Sequence, residues 1–116
     1  MTIQQCYEKF GGDYEEVLGR FSKEVFIRKF IIKFLSDKSY SDLFTALQND
    51  DIETAFRAAH TLKGICQNLG FGKLYKSSSE VTELLRDGKN NLNDTIIDTF
   101  KGDYDLTVSA IQALEW

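Results

Sequence analysis

The sequence predicts an all-α protein, most specifically an antiparallel four-helix bundle with one or two additional short helices at its N-terminus. Apolar residues recur at intervals of three and four along most of the 116-residue chain, and no segment sustains the alternation that is typical of a strand. The chain contains no proline, so no predicted helix is interrupted by one. Helices joined by short connections pack as antiparallel neighbours, which makes a bundle the expected arrangement.

Composition indicates one globular domain over residues 1–116, since the chain has an ordinary size for a single core. The net charge is −4, and the basic residues are interspersed with acidic ones, so binding to a nucleic acid or to an anionic membrane is not expected. No apolar run approaches the roughly 18 residues of a membrane span, and the N-terminus does not resemble a signal peptide. We therefore expect a cytoplasmic protein, and a monomer.

Six helices are expected, over residues 2–10, 14–35, 41–48, 52–69, 73–86 and 95–114. Asp13 is a suitable N-cap for the second helix, with Glu16 three residues later. Gly70 and Gly72 bracket a tight corner after the fourth helix. The second helix is expected to be long, and its apolar positions are Val17, Leu18, Phe21, Val25, Phe30 and Phe34.

The chain has a single histidine, His60, which lies in the predicted helix over residues 52–69. At about 100° per residue, one face of this helix is apolar, and His60 points away from it. The apolar face carries Ala55, Ala58, Ala59, Leu62, Cys66 and Leu69. Within about 60° of His60 lie mostly polar or small residues, namely Glu53, Phe56, Arg57, Lys63, Gly64 and Gln67. A buried histidine is therefore disfavoured, whereas an inert surface histidine remains an alternative.

Three neighbours of His60 favour a functional histidine. Lys63 lies one turn along, where its ammonium group can approach an anion on the imidazole. Gly64 removes the side chain that would otherwise stand beside the ring, although a glycine inside a helix costs up to about 1 kcal/mol relative to alanine. Gln67 adds a neutral hydrogen-bonding group on the next turn. Together they suggest a site that another molecule approaches closely.

The segment from Ala58 to Gly64, Ala-Ala-His-Thr-Leu-Lys-Gly, closely resembles the phosphorylation motif of histidine-phosphotransfer (HPt) domains. The resemblance covers most of the chain up to Arg86, and it includes residues 10–13, 34–35, 46–47, 50–51 and 69–70. The chain departs from the family pattern at Ile65 and Cys66, where small residues are usual, and at Gln67, which often corresponds to glycine. These departures leave the histidine, lysine and glycine of the motif intact.

The resemblance implies that His60 accepts a phosphoryl group from a receiver-domain aspartyl phosphate and passes it to another receiver. It also implies that Lys63 stabilises the phosphoryl charge and that Gly64 allows the partner to approach. An ordinary histidine is largely neutral near pH 7 and is then a nucleophile. Phosphoryl transfer also needs stabilisation of charge on the equatorial oxygens. We expect the partner receiver to supply Mg²⁺ and most of that machinery.

Further binding contacts are expected around His60. On its own helix these are Phe56, Arg57, Thr61 and Gln67. Counting along the family pattern places Ser79 and Thr82 of the next helix opposite the site, although solvated surface groups are an equal alternative for both, and Glu83 is a weaker candidate. We expect Phe56 to lie beneath the N-terminal helix, which would then border the docking surface, with direct exposure of Phe56 to the partner as the alternative.

No cofactor or metal site of its own is expected for this chain, and no ATP-binding or kinase motif is present. Cys6 and Cys66 do not have zinc-motif spacing, and we interpret them as reduced thiols. The expected partners are receiver domains of response regulators and hybrid histidine kinases. The start at Met1 and the end just after the last helix favour a stand-alone carrier. The alternatives are an HPt domain of a larger hybrid sensor or chemotaxis kinase, or a non-catalytic helical docking module.

Overall fold

The computed structural model describes residues 1–114, and seven helices lie within them. In chain order the helices are α1 (Ile3–Lys9), α2 (Tyr14–Phe21), α3 (Glu24–Phe34), α4 (Ser39–Gln48), α5 (Ile52–Leu69), α6 (Gly72–Leu85) and α7 (Asp94–Gln112). The predicted all-α fold is confirmed. The predicted span of α5 agrees with the structure at both ends, and the other predicted boundaries are within two residues except in the region of α2 and α3.

The prediction of a single long helix over residues 14–35 is wrong, because the helix is interrupted at Ser22 and Lys23. Ser22 takes a positive φ of 71° and caps the end of α2, and Lys23 is extended and is the N-cap of α3. No proline or glycine marks this position in the sequence. Helix α3 is a separate helix, and its buried face carries Ile27, Ile31 and Phe34. Two apolar positions of the predicted helix are consequently exposed, with exposed fractions of 61% for Val25 and 37% for Phe30.

Helices α4 to α7 form the bundle. Helix α5 packs against both α4 and α6, and α6 packs in turn against α7. Aromatic contacts join α4 to α7, since the Tyr40 and Phe44 rings both lie against Phe100 and Tyr40 also contacts Tyr104. In the part of the chain that the structure describes, no helix is both long and apolar enough to cross a membrane.

Helix α1 is an integral part of the core. Ile3, Cys6 and Tyr7 are buried, and Tyr7 donates a hydrogen bond from its hydroxyl to the Leu69 carbonyl at 2.7 Å. The Cys6 thiol lies 3.2 Å from the carbonyl of Ala110 in α7. The N-terminal helix therefore ties the end of α5 to α7.

Two glycine-containing loops meet at the end of α5. The Lys73 amide donates to the Phe10 carbonyl at 3.1 Å, which brings the loop after α1 against the start of α6. A Cβ atom at Gly72 would lie 2.1 Å from the Gly11 carbonyl oxygen, and one at Gly12 would lie 2.1 Å from the Gly70 carbonyl oxygen. Both positions need glycine because another stretch of main chain occupies the space of the side chain.

Replacing Gly72 with alanine is expected to destabilise the fold. The added methyl group must displace the neighbouring backbone, and overpacking of this kind costs about 1–3 kcal/mol. Gly102→Ala is the matched control, because Gly102 lies inside α7 and a Cβ atom there would have no neighbour within 4 Å, and it should stabilise the protein by about 0.5–1 kcal/mol. Urea unfolding measures both changes, and a Gly72→Ala variant as stable as the natural chain would contradict the proposed packing.

Candidate functional site

Helix α5 positions the candidate site because both its ends and its rotation are fixed. Asp51 caps the N-terminus by accepting hydrogen bonds from the amide and the hydroxyl of Thr54, and these bonds lower the pKa of the Asp51 carboxyl. Gly70 ends the helix in the left-handed conformation with φ of 73°. One face is buried in the bundle through Ala55, Ala59, Leu62, Cys66 and Leu69.

His60 lies on the opposite, exposed face of α5, as the sequence predicted. Thr61, Gly64 and Gln67 are exposed beside it, and Lys63 is half-buried. Apart from the adjacent residues and the nearby backbone of α5 itself, no atom lies within 4 Å of the place where a Cβ would stand on Gly64. Within residues 1–114 the imidazole makes no hydrogen bond, and the residue as a whole is exposed.

The Phe56 ring borders the histidine, with its centroid 6.0 Å from the centroid of the His60 ring. Together with Arg57, Thr61 and Arg86, these two rings line a shallow depression of about 360 Å³. Arg57 is exposed and forms an ion pair with Glu53 one turn earlier, with 3.3 Å between Nη2 of Arg57 and Oε1 of Glu53. Four residues that the sequence analysis selected, namely Phe56, Arg57, His60 and Thr61, are therefore brought together, whereas Gln67 lies further along the same face.

Sequence reasoning missed Arg86 and undervalued Glu83. The Arg86 guanidinium donates two hydrogen bonds to the Glu83 carboxylate, from Nε at 2.9 Å and from Nη2 at 2.7 Å. It also lies over the Phe56 ring, 5.1 Å from its centroid. Arg86 holds the pKa of the Glu83 carboxyl below its ordinary value, and the nearby charges of Lys63 and His60 act in the same direction. The i, i+3 spacing of the pair was visible in the sequence, but its place beside His60 depends on how α6 packs on α5.

The structure corrects the expectation for Thr82. This residue is fully buried, and its hydroxyl donates to the Ser78 carbonyl at 2.7 Å, so it cannot take part in a surface contact. Ser79 is half-buried and donates its hydroxyl to the Tyr75 carbonyl at 2.7 Å. Because α6 turns Thr82 towards the core, the next residue, Glu83, faces the site in its place.

The expected position of the N-terminal helix is also wrong. Phe56 is bordered by Arg86, which directly follows α6. The apolar side of α1 and its C-cap Phe10 pack near Leu69, Phe71 and Ala110 at the other end of the bundle. Ile3 and Cys6 of α1 are fully buried, so this helix contributes to the core and not to the surface beside His60.

A second surface feature lies along α3. Phe26 has an exposed fraction of 45% and Phe30 one of 37%, and Lys23, Lys29 and Lys33 are exposed nearby. A cavity of about 400 Å³ separates the end of α3 from α5. Its lining includes Phe30, Lys33 and Phe34 from α3 and Ile65, Asn68 and Leu69 from α5. The apolar and basic face of α3 is thus continuous with the surface of the His60 helix.

The two cysteines do not contribute a reactive group to this surface. Cys6 and Cys66 are free thiols that are fully buried. Burial raises the pKa of both thiols, so they remain protonated and are poor nucleophiles. Neither thiol is therefore a candidate acceptor on the exposed face of α5, where His60 lies.

The fold and the site define a small helical domain that presents one histidine on a supported, open helix face. Comparison with known proteins identifies the class: the family model of the Hpt domain matches residues 36–114. The chain is also 32% identical over 95 residues to the chemotaxis protein CheA of Borreliella burgdorferi. That alignment covers 79% of this chain and 11% of CheA. No solved structure matches the chain.

The chain belongs to the Hpt domain family. It is therefore a phosphotransfer module of two-component signalling, and members of this family carry phosphoryl groups rather than acting as kinases. The match to CheA spans about a tenth of that longer protein.

Proposed function

We propose that this domain accepts a phosphoryl group on His60 from the aspartyl phosphate of a receiver domain and passes it to the aspartate of another receiver. The observation that carries the proposal is the placement of His60 on the exposed face of α5, with Lys63 one turn away and open space at Gly64. The domain is then a carrier that acts in the cytoplasm, where its partners are receivers of response regulators and hybrid histidine kinases.

The proposed transfer follows from the chemistry of a neutral imidazole. One ring nitrogen of His60 attacks phosphorus in line with the bond to the aspartyl oxygen, so that a P–N bond forms as the P–O bond breaks. The ring proton on the other nitrogen passes to solvent, and the receiver recovers its carboxylate. Lys63 provides one positive charge for the equatorial oxygens, and the receiver is expected to hold the Mg²⁺ ion that provides the others.

The role within a longer pathway has two forms. As a stand-alone carrier, the domain connects two receivers. As part of a hybrid sensor or a chemotaxis kinase, the same site receives its phosphoryl group within a longer chain, and the match to a segment of CheA favours keeping this form as the second candidate. A docking module without phosphorylation has no observation in its favour, because its surface would need neither an accessible imidazole nor the open position at Gly64.

His60→Gln is expected to abolish phosphoryl acceptance and leave the fold unchanged, because the side chain is exposed and no hydrogen bond ties it to the described residues. Incubation with a phosphorylated receiver should give a label on the natural chain that is labile to acid and stable to base. Thermal unfolding of the variant provides the control for folding. Label retained on the variant would show that another residue is the acceptor.

Gly64→Gln is expected to slow transfer from the receiver while preserving or raising helix stability. Space exists for the new side chain in the free protein, and glycine is the poorer helix former by up to about 1 kcal/mol, so the loss must arise in the complex. Gly102→Gln makes the same change at another exposed helical position. Equal transfer rates for the two variants would show that Gly64 does not mark the point of approach.

We place receiver docking on the face formed by α3 and the second half of α5. The face has two aromatic anchors, Phe26 and Phe30, and basic side chains at Lys29 and Lys33, whereas the whole chain has a net charge of −4. The lysines of this face are suited to contact acidic side chains on the surface of a partner. The cavity between α3 and Ile65 makes the face continuous with the Gly64 side of α5.

The double variant Phe26→Ala and Phe30→Ala is expected to weaken receiver binding by roughly ten-fold or more, as loss of buried aromatic anchors does at other interfaces. Titration calorimetry with an unphosphorylated receiver measures the affinity. Ile97→Ala on α7 is the control, because it also shortens a partly exposed apolar side chain. The proposed docking face is excluded if the α3 variant binds as tightly as the control while both remain folded.

A further inference from the structure

The Arg86 guanidinium occupies the wall of the depression that contains His60. Its two hydrogen bonds to Glu83 hold it over the Phe56 ring, which in turn borders the imidazole. Arg86 immediately follows α6, so its long side chain extends from a helix end and is not buried within the helix packing. Phe56 and His60 of α5 and Arg86 at the end of α6 thus meet in one depression.

The ion pair between Arg86 and Glu83 is not needed to stabilise the fold. The side chains have exposed fractions of 52% and 56%, and ion pairs at such exposure contribute little to stability. The pair does keep a planar, two-pronged donor stacked on an aromatic ring beside the proposed acceptor. A guanidinium is suited to phosphoryl groups because its paired donors match two oxygens of the group.

We propose that Arg86 is a second phosphoryl ligand, which exchanges the Glu83 carboxylate for the phosphoryl group once His60 is phosphorylated. This inference rests on the proposed function and adds a residue to it. A phosphoryl group on nitrogen carries up to two negative charges, against one on Glu83, so it competes effectively for the same donors. Phe56 supports the guanidinium in both positions through its ring face.

The exchange gives Arg86 and Glu83 opposite effects on the phosphorylated state. Arg86 and Lys63 place positive charges beside the phosphoryl oxygens, and these favour the fully ionised group. Glu83 disfavours it, both by repulsion and by occupying Arg86. The Glu83 carboxylate therefore limits how strongly the unphosphorylated site attracts anions. The Arg86 guanidinium stabilises the site once His60 carries the phosphoryl group.

The inference is tested on phosphorylated protein without any receiver. Phosphoramidate supplies the group: an imidazole nitrogen of His60 forms the P–N bond, the bond from phosphorus to the amine of the reagent breaks, and ammonia leaves and takes up the ring proton. The titration of the phosphohistidine is then followed by ³¹P NMR, and the Arg86 Nε–H signal is followed by ¹⁵N NMR before and after loading. Neither readout depends on docking.

The variants Arg86→Gln, Glu83→Gln and the double variant are compared, with Lys101→Gln as the control. Lys101 of α7 makes a similar contact, because its Nζ lies 5.1 Å from the centroid of the Phe44 ring on α4, outside the His60 depression. Arg86→Gln should raise the midpoint pH of the phosphoryl titration, and Glu83→Gln should lower it. Arg86→Gln should raise the midpoint pH in the Glu83→Gln background as well. The chemical shift of the Arg86 Nε–H signal should change when the natural chain is phosphorylated.

Two results overturn the inference while leaving the proposed function intact. The first is an unchanged titration in Arg86→Gln, and the second is an effect of Arg86→Gln that disappears when Glu83 is also replaced. The second result would mean that Arg86 only neutralises the carboxylate. Failure of the natural chain to form phosphohistidine at His60 would instead reject the proposed function together with this inference, so the two failures are distinguishable.

Discussion

The rotation of α5 about its own axis is the constraint on which the site depends. Ala55, Ala59 and Leu62 are fully buried on one side of this helix, and the small alanines allow neighbouring helices to approach closely. A rotation by one residue would move each of them by about 100° and expose apolar surface at a cost of roughly 25 cal/mol per Å². The same burial that holds the bundle together therefore directs His60 to solvent.

The neighbouring helices complete the surface around this fixed histidine. Helix α6 brings Glu83 and Arg86 to one side of α5, and α3 places Phe30 near the other. The two glycine-containing loops meet at the start of α6, where main chain passes through the space that a side chain at Gly72 would occupy. The packing at one end of the bundle thereby contributes to the position of the charged groups beside His60.

The charged side chains around His60 are arranged in a way that is consistent with a domain that carries a phosphoryl group. Arg57 and Arg86 are each paired with a carboxylate, and Lys63 is close enough to Glu83 for its charge to be felt there. In such a site an arginine can leave its carboxylate partner and bind a phosphoryl group instead. The site offers few groups that are held in place for catalysis. The stabilisation of the transition state is therefore expected to come mainly from the receiver.

Much of this arrangement was predictable from sequence because α5 is strongly periodic and well capped. The apolar face, Asp51 at the N-cap and Gly70 at the end are local features, and the position of His60 follows from them. The break at Ser22 was not predictable, since a serine with positive φ carries no warning in the residue type. The burial of Thr82 and the place of Arg86 depend on the packing of α6 against α5, which periodicity alone does not determine.

The central claim is that the imidazole of His60 carries the phosphoryl group between receivers. Its most direct test is mass-spectrometric mapping of the phosphorylated residue, with fragmentation that preserves the P–N bond, after the natural chain is loaded by a phosphorylated receiver and again after a second receiver is added. The account predicts phosphate on His60 in the first sample and its loss to an aspartate of the second receiver. Phosphate on another residue of this chain, or none transferred to it, would contradict the account.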